Sequence, residues 1–231
     1  MKYKHLFFDL DHTLWDFDTN AKNSLAQLYS DLNLAGKGVH DFALFYKNYL
    51  VHNEQLWAKY RKGTIRQDEL RVKRMWLTLL DFKIADEDLA IELSNIFLKL
   101  LPARTTLFPD TKEVLQYLAD KGYTLHMITN GFEEVQHMKL KTCGLSPFFK
   151  EVITSEGSNS LKPEKEIFEL ALQKASAKVE ESIMIGDTLE VDIFGARNIG
   201  MDQVHVNFDN MPQYFKPTYT ITRLMELKRI F

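Results

Sequence analysis

The chain is poor in the features that mark several protein classes. Its 231 residues include one cysteine, Cys143, which excludes an intramolecular disulfide and a cysteine-built zinc site and fits a reducing compartment. No apolar run approaches the length of a membrane span, and Asp9 interrupts the N-terminal segment before a signal-length stretch can form. A formal net charge of −3 gives no excess of either sign to draw in nucleic acid or an anionic membrane. His5, His12, His40 and His52 are scattered among unrelated segments, and no histidine pair has metal-ligand spacing. There is no internal repeat, low-complexity tract or long Pro/Gly/Ser linker. These absences predict a cytoplasmic protein with no nucleic acid polymer or membrane as partner. Hydrophobic residues at 45% and charged residues at 26% are ordinary globular usage and leave enough apolar surface for a sizeable core.

What is present alternates between strand and helix signals. Leu6-Phe7-Phe8 is a short apolar run that stops on Asp9 and Asp11, the pattern of a buried strand ending at a polar edge. Residues 19–34 carry Ala21, Leu25, Leu28 and Leu32 at helical spacing, with Asp18 or Thr19 as N-cap. Further helices are predicted over 40–60, 66–80 and 85–101, with Pro102 closing a block that contains no convincing strand. After Phe108 the pattern becomes a helix from Asp110 to Gly122, a strand over 123–129, a helix over 132–142, and a strand over 151–155. A helix with Pro163 at its first position follows, then a strand over 182–186, a helix through Asp192 to Asn198, and short strands over 203–206 and 219–221. Residues 155–161 read as a loop. Strands alternating with helices imply an α/β fold with a parallel sheet covered on both faces. The expected organisation is a core of residues 1–14 plus 103–231, with residues 15–102 as an inserted helical domain.

Ligands of open α/β sheets bind outside the carboxyl ends of the strands. The polar residues predicted there are Asp9, Asp11, Thr129, Asn130, Ser155 and Asp187, with Lys162 just before Pro163. In an extended chain Asp9 and Asp11 point the same way, so both carboxylates are expected to face one point, where a divalent cation with oxygen ligands, Mg²⁺ before others, would relieve their repulsion. The set supplies a nucleophile, acids, a hydroxyl and a cation, which is what phosphoryl transfer to a carboxylate needs. Each member also has a plainer reading: a polar turn at Asp9–Asp11, a helix cap at Thr129, a solvated Lys162, a tight turn at Gly186-Asp187. Their order along the chain favours a single site. Cys143 reads as a small core residue; Lys2 with Lys4, and Arg71 with Lys73 and Arg74, read as solvated faces.

Asp9-Leu-Asp11-His-Thr13, Ile-Thr129-Asn, Lys162-Pro163 and Gly186-Asp187-Thr-Leu-Glu-Val-Asp192 resemble, in order, the four motifs of the haloacid dehalogenase-like hydrolase superfamily. The insert after the first motif is similar to that superfamily's C1-type helical cap on a Rossmann-like core. Leu56-Trp57 with Tyr60 and Gly63, Thr129-Asn130-Gly131-Phe132, and Lys162-Pro163 with Ile167-Phe168 resemble the bacterial house-cleaning pyrimidine 5′-nucleotidases. The resemblance implies Asp9 as nucleophile forming an aspartyl-phosphate, and Asp11 as general acid and then general base. It implies Mg²⁺ held by Asp9, the Asp11 backbone carbonyl and Asp187, and phosphate held by Thr129, the Asn130 and Gly131 amides, and Lys162. Asp192 would orient Lys162 or metal-bound water.

True dehalogenases resemble this fold but need no acid two residues after the nucleophile, because halide leaves unprotonated; Asp11 therefore favours phosphate chemistry. Two positions depart from the pattern. His12 stands where the superfamily often has glycine, and Asn159 where related nucleotidases tend to have it, although asparagine tolerates the left-handed conformation. Trp57 and Tyr60, three apart on one helix face, either stack on a nucleobase or pack cap helices together, with Phe17 and Phe132 as further aromatic candidates. The expected partner is a small phosphorylated metabolite, a nucleoside monophosphate first, handled by a monomer or homodimer. The alternatives are a phosphatase of small sugar phosphates or phosphoglycolate, a phosphomutase, and a phosphometabolite-binding protein.

Overall fold

The computed structural model of the protein describes residues 2–231. It divides into two compact units: one runs to Phe17 and resumes over Thr105–Phe231, and the other is Asp18–Arg104. Trp15 stays with the first unit because it bridges to Leu107 and is fully buried.

The chain opens with β1 (His5–Phe8) and passes into α1 (Phe17–Asp31), α2 (Phe42–Arg61), α3 (Gln67–Leu80) and α4 (Glu87–Leu100). Asp41 and Asp86 cap α2 and α4, accepting from the Leu44 and Leu89 amides and so satisfying donors that a helix start leaves open. Among the described residues of Asp18–Arg104 there is no strand. The rest of the chain runs α5 (Thr111–Asp120), β2 (Thr124–Thr129), α6 (Glu133–Thr142), β3 (Phe149–Thr154), α7 (Ser155–Ser158), α8 (Lys165–Ala175), β4 (Ser182–Gly186), α9 (Phe194–Asn198), β5 (Asp202–Val206), β6 (Tyr219–Ile221) and α10 (Leu227–Ile230).

The six strands form one parallel sheet in the order β3-β2-β1-β4-β5-β6. Alternation along the strands builds two apolar faces. Phe7, Ile128, Ile153 and Met184 pack with Ile167, Phe168 and Ala171 of α8 and Ala196 of α9. Leu6, Phe8, Met127, Ile183 and Ile185 are buried on the other face, where α5 brings Val114, Leu115 and Leu118 toward β2. Each of the larger ones (Val, Leu, Ile, Phe, Met) contributes about 1.5–3 kcal/mol by leaving water. The connections from β1 lead to one side of the sheet and those from β4 to the other, so the crevice for a ligand lies beyond the ends of β1 and β4. No helix among the described residues is long and apolar enough to cross a membrane.

Several local expectations are corrected. Helix α1 starts at Phe17, so Asp18 lies in its first turn and neither Asp18 nor Thr19 caps it. Strand β3 begins at Phe149 rather than 151 because the buried Phe149 already pairs beside Leu125. Residues Ser155–Ser158 form a helical turn, capped by the Thr154 side chain accepting from the Gly157 amide. Pro163 is not at the first helical position; α8 starts at Lys165, and Lys162-Pro163 is a cis peptide. Leu189–Ile193 is a π-helical turn leading into α9.

Arg74 is buried rather than solvated. It lies one helical turn past Leu70 on the inward face of α3, with its guanidinium 5.1 Å from the Phe97 ring centre and donating to the Asn53 side-chain oxygen at 3.0 Å.

Candidate active site

Strand β1 ends in a buried ionic cluster. Asp9, one residue past β1, is tied to the neighbouring strand by its amide donating to the Ile185 carbonyl at 2.9 Å. The Lys162 ammonium donates to Asp9 Oδ1 at 2.6 Å, to Asp192 Oδ1 at 2.6 Å and to the Ile128 carbonyl at 2.7 Å. All three of its protons are thereby used, and the residue is 1% exposed. Asn130 holds the lysine backbone from both sides: its side-chain amide donates to the Lys162 carbonyl, and its oxygen accepts from the Lys162 amide at 2.7 Å. Asp187, after β4, accepts from the Thr13 and Thr188 hydroxyls, and its backbone carbonyl lies 2.8 Å from the His205 ring.

Carboxylate oxygens of Asp9, Asp187 and Asp192 lie within 4.8 Å of one another. Lys162 is the cation bonded to this group; three carboxylates and one ammonium leave a formal charge of −2. Burial, and then the negative charge of Asp192, push the Asp187 carboxyl up to about 6, against His12 and its hydroxyl donors. Burial likewise raises Asp9, against Lys162, with Asp192 and Asp187 adding to the rise. Burial alone would lower Lys162, but Asp192 and Asp9 outweigh it and keep the ammonium charged. An all-oxygen donor set two charges short of neutral fits a hard divalent cation such as Mg²⁺.

Asp11 is not one of the three carboxylates whose oxygens lie within 4.8 Å of one another. The chain leaves strand geometry after Phe8 and turns, with the Leu14 and Trp15 amides both donating to the Leu10 carbonyl. The Asp11 side chain faces α6 instead. Its Oδ1 accepts from the Lys139 ammonium at 2.6 Å and its Oδ2 from the Gln136 amide at 2.9 Å. His12 adopts a φ of 64° in this turn, the left-handed region where glycine is the usual occupant. Asn159 has a φ of 51° and takes the left-handed conformation at the end of α7.

Thr129 ends β2, nearly fully buried, and its hydroxyl oxygen accepts from the Gly131 amide at 3.1 Å and the Gln136 side chain at 2.7 Å. Its own proton is left to give. Two glycines make room for these arrangements. A Cβ on Gly186 would sit 2.5 Å from Asp192 Cγ, and one on Gly131 would sit 2.4 Å from Gln136 Cδ. Gly186 therefore lets Asp192 fold back over the strand end to reach Lys162, and Gly131 lets Gln136 reach Asp11.

In the helical unit, Trp57 and Tyr60 are partly buried and meet edge to face, ring centres 5.7 Å apart. Phe17 and Phe132 are buried, and Cys143 is buried. Lys139 and Gln136 were not anticipated from the sequence, nor was His205. Their signal was available: α6 buries Gln136, Lys139 and Leu140, so the polar residues recur at the helical spacing where a core-facing helix carries apolar ones.

A site of this kind, on a parallel sheet, defines a class. The chain matches the haloacid dehalogenase-like hydrolase family over residues 3–200, and it belongs to that family. It is 30% identical over 98% of its length to the pyrimidine 5′-nucleotidase PynA of Streptococcus pneumoniae, covering 94% of that protein. It is also 30% identical over 100% of its length to the pyrimidine 5′-nucleotidase YjjG of Escherichia coli, covering 98% of it. Among solved structures it is similar to the HAD-hydrolase YfnB of Bacillus subtilis bound to magnesium, with a TM-score of 0.88, 28% identity, and coverage of 100% and 99% of the two chains.

Proposed function

We propose that the protein is a Mg²⁺-dependent phosphomonoesterase that works through an aspartyl-phosphate on Asp9, with pyrimidine nucleoside 5′-monophosphates as its leading substrates. The observation that carries the reading is the separation of two carboxylates two residues apart. Asp9 sits with Lys162 in the cation-seeking cluster, while Asp11 is held outside it by α6. This difference in surroundings supports giving the bond to phosphorus to Asp9 and the proton transfers to Asp11.

Asp9, Asp187 and the Asp11 backbone carbonyl would hold the ion, which when bound lowers the repulsion between Asp9 and a phosphate dianion. The free oxygen of Asp9 forms a bond to phosphorus while the ester P–O bond breaks, and the leaving alkoxide takes a proton from the Asp11 carboxyl. Water then attacks the phosphorus, Asp11 takes its proton, and the P–O bond to Asp9 breaks to release inorganic phosphate. The Thr129 hydroxyl, whose proton is left to give, and the Asn130 backbone amide hold the phosphoryl oxygens, while Lys162, with its three protons engaged, supplies positive charge beside them. Asp192 acts through Lys162, having both oxygens engaged: one by that ammonium, the other by the Thr188 amide at 3.0 Å. The relatives PynA and YjjG, named pyrimidine 5′-nucleotidases, support the substrate class.

The test is phosphate release from a panel of nucleoside monophosphates and sugar phosphates, with Mg²⁺ and with a chelator. Preference for a pyrimidine monophosphate, lost with the chelator and abolished in Asp9→Asn at unchanged circular dichroism, is the expected result. Preference for a sugar phosphate would overturn the substrate class, and full turnover in Asp9→Asn would overturn the mechanism.

A further inference from the structure

We propose that Lys139 and Gln136 are positioning residues that hold the Asp11 carboxyl in the geometry needed to protonate the leaving group; the inference rests on the acid role given to Asp11 above. Three observations carry it. The first is that both carboxylate oxygens are gripped by one helix face: Lys139 on Oδ1 at 2.6 Å and Gln136 on Oδ2 at 2.9 Å, from residues three apart on α6. Each oxygen accepts one donor and keeps a lone pair, so either can still carry the proton to be transferred.

The second is the inversion of burial within the pair. The Lys139 side chain is 2% exposed and its carboxylate partner 25%. A carboxylate that reaches solvent needs no buried partner to be stable, whereas enclosing an ammonium is costly. The ammonium also lies 4.1 Å from the centre of the Trp15 ring, whose π face offers a cation partial compensation only. Stability alone would place an apolar residue at this inward position of α6.

The third is the coupling to the phosphate-binding strand end. The Gln136 amide donates to Asp11 and also to the Thr129 hydroxyl oxygen at 2.7 Å. One side chain thus sets the distance between the proton donor and the residue that ends β2. Gly131, whose Cβ would occupy the space of Gln136, serves this contact, which accounts for the glycine of Thr129-Asn130-Gly131.

Proton donation matters most when the leaving group is a poor one, and kcat/KM reports the steps up to formation of the aspartyl-phosphate. The experiment compares kcat/KM for a nucleoside 5′-monophosphate, whose leaving group is an alcohol, with that for p-nitrophenyl phosphate, whose phenolate leaves without assistance. Lys139→Met keeps the stem over Trp15 and deletes the charge. The expected loss is about 100-fold on the nucleotide, the scale of a misplaced catalytic group, and under about 5-fold on the activated ester, which needs little general-acid help. Gln136→Leu, the second variant should Lys139→Met fail to fold, is expected to show the same selectivity at smaller size. Equal losses on the two esters, or none on either, would overturn the inference. Asp11→Asn separates the two levels. Equal losses there remove the acid role of Asp11 and the inference with it; a selective loss there without one in the folded α6 variants overturns the inference alone.

Discussion

Replacing Lys162 by methionine keeps the length of the stem and deletes the ammonium, so the change isolates the charge from the packing. Three acceptors lose their donor at once: the Asp9 and Asp192 carboxylates, each at 2.6 Å, and the Ile128 carbonyl at 2.7 Å. Asp192 is 2% exposed and Asp9 8%, so water cannot replace the donor, and with Asp187 the formal charge of the cluster falls from −2 to −3. Breaking a buried ion pair from one side costs about 3–5 kcal/mol. In a chain of this size each kcal/mol moves the melting temperature by about 2–4 °C, so a drop of roughly 10 °C is expected. Thermal melts of parent and variant in chelator measure it. Added Mg²⁺ should recover part of the loss by supplying charge to the same oxygens. A chelator-state melt within about 2 °C of the parent, less than the effect of a single kcal/mol in the middle of that range, would show that the ammonium is not what holds the strand ends together. Phosphate release should fall by about 100-fold or more, the scale of removing a preorganised charge from a transferring phosphoryl group.

Two further changes test other parts of the fold. Gly186→Ala places a methyl 2.5 Å from Asp192 Cγ; it should destabilise by about 1–3 kcal/mol and cut phosphate release more than 10-fold as Asp192 leaves Lys162, and a variant normal in melt and turnover would refute the close-approach argument. His126 is fully buried beside His5 at 3.1 Å, and burial, then His5 and Lys150, lower it to about 4 from the usual 6.5. Between those values the unfolded chain takes the proton and the folded one does not, so this contribution is complete above about pH 6.5 and is lost as pH falls toward 4. A shift of that size is worth about 3 kcal/mol in full, of which roughly 2 is lost by pH 5. Urea unfolding of parent and His126→Phe at pH 7 and pH 5 measures it, and identical losses in the two would refute the assignment.

The readable parts of the molecule were those where a local pattern has one physical solution. The apolar run of β1, the strand Ser182–Gly186, and the helix stops at Gly122, Gly144 and Gly200, all with positive φ, follow from burial and backbone freedom within a few residues. A local rule fails where it meets a tertiary constraint. Pro163 is good helix-start chemistry, yet the chain there must first deliver Lys162 to the sheet, and the helix begins two residues later. Arg74 sits among other cations in sequence, but the turn of α3 aims it at Tyr49, Asn53 and Phe97.

The sequence by itself determined the alternation of strands and helices, the helical insert, the family, and the placement of Asp9, Thr129 and Asp187 at strand ends. Those are consequences of periodicity and of residues near in the chain. Tertiary structure alone decided how the charges pair. Asp9 and Asp11 are two residues apart, yet the first belongs to Lys162 and Asp192 and the second to Lys139 and Gln136 on α6. Charge pairing depends on distances of a few ångströms between side chains more than a hundred residues apart, and on how much water each retains. Those quantities exist only once the sheet and its helices have packed.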